Sequence, residues 1–195
     1  ALAELSKKNA QNLLTLVNEI LDLTKMESGK IELVETSIEL YPLLLRIKEA
    51  FMGVAEQKNI HYTFDYQGPP HLILSLDTKK VEKIVNNLLS NAFKFTPTGG
   101  KIQLHAQVNT EKMTLSVTDS GRGIHPDDLP NVFNRFFQST QPNTPKEGGT
   151  GIGLSLAQEF AKLMKGKLWA TSTFGKGSTF YFEIPISTPT VTPTN

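Results

Sequence analysis

Asn87, Asn91 and Lys94 recur at i, i+4 and i+7 within a stretch whose apolar residues keep helical spacing, which puts all three on one polar stripe. Amide oxygens are hard neutral ligands suited to Mg²⁺, and an ammonium suits a phosphate. A solvated helix face would read the same way. Yet asparagine is a mediocre helix former, and two at this spacing cost helix propensity, which is easier to understand if the pair holds something. Asp119 is the second unusual residue. Met113, Leu115 and Val117 mark the inward side of a strand, and Asp119 continues their phase, so a carboxylate points toward the core. Burying an unpaired charge costs several kcal/mol, roughly, so such a group needs donors. It either caps the turn at Ser120-Gly121 or accepts a hydrogen bond from a ligand amine.

Two glycine features stand beside these. Gly121 and Gly123 follow Asp119 at once and let backbone turn tightly, or let a flat ligand approach with no Cβ in the way. Gly148-Gly149-Thr150-Gly151-Ile152-Gly153 precedes a helical pattern, and free backbone N–H groups at a helix N-terminus bind anions, phosphate above all. No Gly-Lys-Ser/Thr closes this run, so it is not a Walker loop. A long polar segment rather than a strand comes before it, so it is not a dinucleotide fingerprint. Lys176, between Gly175 and Gly177, fits an ordinary hairpin turn. An amine acceptor, a metal stripe, a phosphate cradle and glycines at points of close approach together describe a site for a purine nucleotide with Mg²⁺.

The elements that must position these groups are legible in the patterning. Leu13, Leu16, Val17, Ile20 and Leu21 form one helical face, widened by Leu14 and Leu23, and Gly29 ends that helix near Ser28. A short strand is expected over Ile31 to Glu35. A single helix is then expected to carry Leu40, Leu43, Leu44, Ile47, Phe51, Val54 and Ala55 on one face, with Pro42 in its first turn. Ile60, Tyr62, Phe64 and Tyr66 alternate as a strand, as do Leu72, Leu74 and Leu76. Asp77 caps the helix of the polar stripe, whose buried face is Val81, Ile84, Val85, Leu88, Leu89 and Ala92. A hairpin turns around Asn109 to Lys112, and Leu129, Val132, Phe133 and Phe136 mark a short helix. Gln138 to Gly149 reads as a mobile loop, Ile152 to Lys165 as a helix, and Leu168 to Thr173 with Ser178 to Ile186 as closing strands. The sum is a mixed layer with helices on one face of a largely antiparallel sheet.

Composition narrows the class. With 38% apolar and 20% charged residues, the 195-residue chain has room for a real core in one or two domains. A net charge of +1 supplies no general field for nucleic acid. The absence of cysteine excludes disulfide scaffolds, zinc ribbons and thiol catalysis. No run reaches the length of a membrane span.

Five segments, in order, resemble motifs of the catalytic domain of sensor histidine kinases, within the wider ATPase group that includes gyrase, mismatch-repair and heat-shock chaperone ATPases. Asn87 to Thr96 resembles the N box, Asp119 to Ile124 the first glycine box, Phe133 to Phe137 the F box, Gly149 to Leu154 the second glycine box, and Gly175 to Phe180 the final glycine motif. Asn12 to Lys30 resembles the second helix of the dimerisation and phosphotransfer bundle. The resemblance implies an α+β, two-layer α/β sandwich (the Bergerat fold), a mixed, largely antiparallel sheet covered by helices on one face and preceded by one bundle helix. It divides the chain into bundle helix 1–29, ATP-binding domain 30–187 and Thr/Pro-rich linker 188–195.

The resemblance also implies roles. Asp119 would take the adenine amino group, with Gly121, Gly123 and Ile124 beside the nucleotide. Asn91 would hold Mg²⁺ with Asn87 next to it, and Asn87 and Lys94 would serve the chemistry, Lys94 facing the phosphates. Arg135 would sit near the base of a lid formed by Gln138 to Gly148. Gly149, Thr150, Gly151, Gly153 and Leu154 would line the triphosphate, and Thr179 would reach the adenine through water. ATP and Mg²⁺ are the implied cofactors. The implied partners are a histidine-bearing bundle helix, a second copy in the full-length homodimer and a downstream receiver domain; no nucleic-acid partner is expected. The location implied is the cytoplasmic portion of a membrane-anchored sensor. One departure stands out: the helix carrying the phosphorylated histidine is not in this chain, and His61, His71, His105 and His125 all read as surface or turn residues. Two rivals remain, a hydrolytic ATPase, which by resemblance needs a glutamate where this chain has Asn87, and a nucleotide-gated interaction module without catalysis.

Overall fold

The computed structural model describes residues 2–29, 31–139 and 149–186. The chain opens with α1 (Leu2–Glu27), and Gly29 after it takes φ +64, a conformation glycine adopts without strain. The expected strand over Ile31–Glu35 is not formed. Its backbone bonds to a side chain instead, Val34 N donating to Asp77 Oδ2 at 3.0 Å, and the ladder begins only at β1 (Thr36–Glu39). The expected single second helix is two, α2 (Leu40–Glu49) and α3 (Met52–Gln57). The break at Ala50-Phe51 lets Phe51 stack on Phe93, centroids 5.4 Å apart and planes within 11°. Because Ala55 stays buried beyond the break, the apolar pattern runs through it unmarked.

Next come β2 (His61–Gln67), β3 (Ile73–Leu76) and α4 (Thr78–Phe95). Asp77 caps α4 as expected, its carboxylate accepting Lys80 N at 3.0 Å, an arrangement generally worth about 1 kcal/mol. The remaining elements are β4 (Lys101–Val108), β5 (Lys112–Asp119), α5 (Gly153–Leu163), β6 (Lys167–Thr173) and β7 (Gly177–Pro185). The helix expected around Leu129 to Phe136 shrinks to a 3-10 turn at Leu129–Asn131. After it the chain turns through i→i+3 bonds from Asn134 N and Phe137 N, and Phe136 sits at φ +61, which no helix tolerates.

Five strands form the main sheet in the order β2-β4-β5-β7-β6, with β2 and β4 parallel and every other neighbour antiparallel. β1 and β3 stand apart as an antiparallel pair. α2, α3, α4 and α5 all pack on the main sheet. Alternate residues turn toward them, among them Leu104, Met113, Leu115, Val117, Phe182 and Ile184, each almost wholly buried, as a one-sided sheet requires. The other face is polar and ends in Trp169 stacked on Tyr181 at the β6 edge. This is the two-layer α+β architecture expected, with helices on one face of a mixed sheet.

Candidate functional site

The site lies where three loops meet at one end of the sheet, next to the C-terminal half of α4. Asp119 ends β5 on the inward face and is 7% exposed. Its Oδ1 accepts Gly121 N at 2.8 Å, and the Ser178 backbone also bonds to the carboxylate. Burial raises its pKa from the ordinary aspartate value, and those two hydrogen bonds only partly offset the rise. Capping of the following turn is therefore real, and a carboxylate with a weakened hold on its charge can still accept from an amine.

The glycines near it sit where side chains do not fit. A Cβ at Gly121 would come within 2.5 Å of Phe95 O, and one at Gly123, where φ is +68, within 2.2 Å of Thr173 O. A serine cluster fixes this corner. Ile124 N donates to Ser172 Oγ at 2.8 Å, Ser172 Oγ donates to Gly177 O at 2.9 Å, and Ser178 Oγ lies 3.0 Å from Ser172 Oγ. The loop after β5 is thus tied to the β6–β7 hairpin.

On the opposite wall, the stripe of α4 faces the glycine run. A Cβ at Gly153 would lie 2.1 Å from Asn87 Oδ1, and one at Gly149 would lie 2.9 Å from Lys94 Nζ. Asn87, Asn91 and Lys94 are half-buried rather than solvated. Among the described residues, neither asparagine side chain has a hydrogen-bond partner within the protein. Neither amide is among the buried polar atoms that lack a partner, so both stay open to whatever enters the cleft. Among the described residues no three His, Cys, Asp or Glu side chains gather into a metal-holding group, and a cation here would lean on neutral amide oxygens, as Mg²⁺ does when phosphates supply its charge.

The glycine run is braced from the segment before it. Phe136 N donates to Gly151 O at 2.8 Å, and Gly151, at φ +70, packs directly on the Phe136 backbone. Thr150 Oγ1 accepts Ile152 N at 3.2 Å, which shapes the entry to α5. Leu154 is half-buried in the first turn of α5. Gln138 Nε2 donates to Gly149 O at 2.8 Å. The rest of the expected lid, residues 140–148, lies outside the described residues, as does the tail at 188–195. Lys94 and Arg122 flank the Phe95 ring, each 4.7 Å from its centroid, so two cations border the cleft.

The expected site residues come together with two exceptions. Thr179 lies on the outer face of the sheet, its hydroxyl 3.1 Å from that of Thr118. It cannot face the corner that Asp119 occupies, because neighbours along a strand point to opposite sides. Ser178, the residue paired with Asp119 across β5 and β7, is on the correct face and buried. Counting by twos from Phe182 and Phe180 reaches Ser178, so the alternation carried the signal. Arg135 is exposed and paired with Glu27 of α1 rather than turned into the cleft. The histidines are peripheral to the cleft: His71 bonds Glu39, His105 bonds Asp65 and His125 packs edge-on against Phe174.

Known proteins share this fold. Residues 76–188 match the family model described as histidine kinase-, DNA gyrase B-, and HSP90-like ATPase. The sensor histidine kinase TmoS of Ectopseudomonas mendocina is 40% identical over 95% of this chain, which spans 19% of that protein. The sensor histidine kinase WalK of Bacillus subtilis is 33% identical over 92% of this chain, which spans 30% of it. Among solved structures, full-length ShkA in complex with AMPPNP superposes with a TM-score of 0.81 at 27% identity, over 93% of this chain and 37% of that one. The catalytic domain of the histidine kinase ThkA gives a TM-score of 0.68 at 27% identity, over 78% of this chain and 97% of that one. The chain therefore spans less than a third of the length of these curated relatives.

Proposed function

Because the chain belongs to the histidine kinase-, DNA gyrase B- and HSP90-like ATPase family, we propose that it holds Mg-ATP between α4 and the glycine run and presents the γ-phosphoryl group to a histidine on a bundle helix. The observation that carries this reading is the facing of Asn87 and Lys94 onto Gly153 and Gly149, with the two stripe amides open to a ligand. Asp119, with Gly121, Gly123 and Ile124, would recognise the adenine edge, and Ser178 takes the place first given to Thr179. Gly149, Thr150, Gly151 and Gly153 would present backbone N–H groups to the phosphates at the start of α5.

Phosphoryl transfer needs position and charge neutralisation more than covalent help from the protein. Lys94 would supply a positive charge to the phosphates. Asn91, with Asn87, would hold Mg²⁺, which when bound offsets phosphate charge. Neither asparagine can act as a general base, so activation of water for hydrolysis lacks its usual group. That favours transfer to a histidine over ATP hydrolysis.

We read α1 as the closing helix of the dimerisation bundle, residues 30–187 as the ATP-binding domain and 188–195 as linker. Leu13, Leu14, Val17, Ile20 and Leu21 are exposed on α1, as a helix would be that completes its packing with bundle partners. In the longer protein a second copy and a receiver domain would complete the phosphorelay, and the domain would work on the cytoplasmic side. No helix among the described residues is long and apolar enough to cross a membrane. The test is to supply a histidine-bearing bundle with Mg-ATP and measure acid-labile phosphohistidine against free phosphate. Phosphohistidine is the expected product; free phosphate without it would favour the hydrolytic reading.

A further inference from the structure

α1 does more than precede the nucleotide domain. It lays acidic side chains against groups that belong to the cleft. Glu19 Oε2 accepts the Thr150 hydroxyl at 2.7 Å, and the same Thr150 Oγ1 accepts Ile152 N at 3.2 Å. The Glu19 carboxylate is therefore two hydrogen bonds from the Ile152 N–H, just ahead of α5. On the same side of α1, Asp22 pairs with Lys83 of α4, and Glu27 pairs with Arg135 beside the glycine run.

Of these three acids, Glu19 alone is in no ion pair with a described residue. Among the described residues no ion pair involves it, whereas Asp22 and Glu27 each have one. One charged group acts on it directly: Asp22 adds negative charge from α1 itself. The cations on this side of α4 are engaged elsewhere, Lys83 with Asp22 and Lys94 at Gly149. Burial raises the Glu19 pKa above the ordinary glutamate value, the Thr150 hydrogen bond lowers it and Asp22 raises it further. An anion arriving at the start of α5 would meet a nearby, unanswered negative charge.

We propose that Glu19 is a positioning residue for the phosphate-binding loop: through Thr150 it couples the docking of α1 to the loop, so that docked α1 opposes a bound triphosphate and a triphosphate loosens α1. This rests on reading residues 149–153 as the phosphate-binding loop. The two effects are one coupling free energy and must be equal in size. Through Glu19, movement of the bundle helix becomes a change in nucleotide affinity.

The test uses this chain with Mg-AMPPNP as the probe. Glu19→Gln removes the charge and keeps an acceptor for Thr150, so it should bind the analogue about three- to tenfold more tightly at pH 8, the range expected for one partly screened charge near a phosphate. Glu19→Asp, which keeps the charge, should stay close to wild type. The ratio of wild-type to Gln dissociation constants should fall toward one as pH drops and Glu19 protonates; taking the ratio cancels other titrating groups such as Asp119. A second readout needs no nucleotide. In Glu19→Ala, amide exchange at Ile152 should speed up by about tenfold while amides in β5 and β7 do not change. A ratio of one at every pH overturns the affinity claim, and unchanged exchange at Ile152 overturns the coupling. A wild-type chain that fails to bind the analogue overturns the affinity claim together with the nucleotide reading, while the Ile152 exchange still decides the contact between α1 and the loop.

Discussion

Gly153 packs against the side chain of Asn87 so closely that a Cβ on Gly153 would stand 2.1 Å from Asn87 Oδ1. The contact joins the first residue of α5 to the stripe of α4. It predicts that Gly153→Ala folds, because Asn87 can swing its amide away, but loses Mg-AMPPNP affinity by at least about tenfold, because the displaced amide leaves the place proposed for the metal. Thermal melting and calorimetry on the same sample check both halves. Retained affinity would separate Asn87 from the nucleotide.

Gly123 is a contrasting case. Its Cβ would meet backbone, Thr173 O at 2.2 Å, and its φ of +68 disfavours any side chain. Nothing nearby can rotate aside. Gly123→Ala is expected to destabilise the fold by roughly 2 kcal/mol or more, read as a lower denaturation midpoint with an unchanged slope.

Asp119 predicts a pH effect with a definite sign. Burial raises its folded-state pKa above the ordinary value of 3.8, so its contribution to stability is fully present below that value and is lost as pH rises through the raised folded pKa. Asp119→Asn should remove this part of the stability loss as pH rises above 3.8, and should be no less stable than wild type at pH 7. Adenine binding runs the other way. It needs the ionised carboxylate, so affinity rises with pH over the same window in wild type and stays low in the Asn variant, by at least about tenfold at pH 7.

Ser178 and Thr179 separate the two faces of the sheet. Ser178→Ala should weaken analogue binding, because the Ser172–Ser178 contact helps hold the corner around Asp119. Thr179→Val should bind as wild type does, its hydroxyl meeting that of Thr118 on the outer face. Titrations of the two variants side by side would reveal any exchange of roles.

Much of this was legible in the sequence, for physical reasons. Asp119 announced itself by carrying a charge in the phase of Met113, Leu115 and Val117, and Asp77 by standing at the head of a clear helical period. The polar stripe of α4 and the glycine run, both plain in the sequence, face each other in the structure. What was illegible arose where tertiary contact overrode local pattern. The break at Ala50-Phe51 keeps the helical phase and serves the stacking of Phe51 on Phe93. Residues 31–35 look like a strand, yet Val34 N donates to a carboxylate 43 residues away instead of to a ladder partner. Arg135 carried no sign that it would pair with Glu27, a contact spanning 108 residues. Thr179 was misplaced by motif spelling where strand alternation pointed to Ser178.

Calorimetric titration of this chain with an ATP analogue, with and without Mg²⁺, tests the central claim most directly. The account predicts saturable one-to-one binding that needs Mg²⁺, falls sharply in Asp119→Asn and Asn91→Ala, and discriminates against the guanine analogue, which presents a carbonyl where adenine presents an amine. Absence of binding, or binding that is indifferent to Mg²⁺, to Asp119 and to the base, would contradict it.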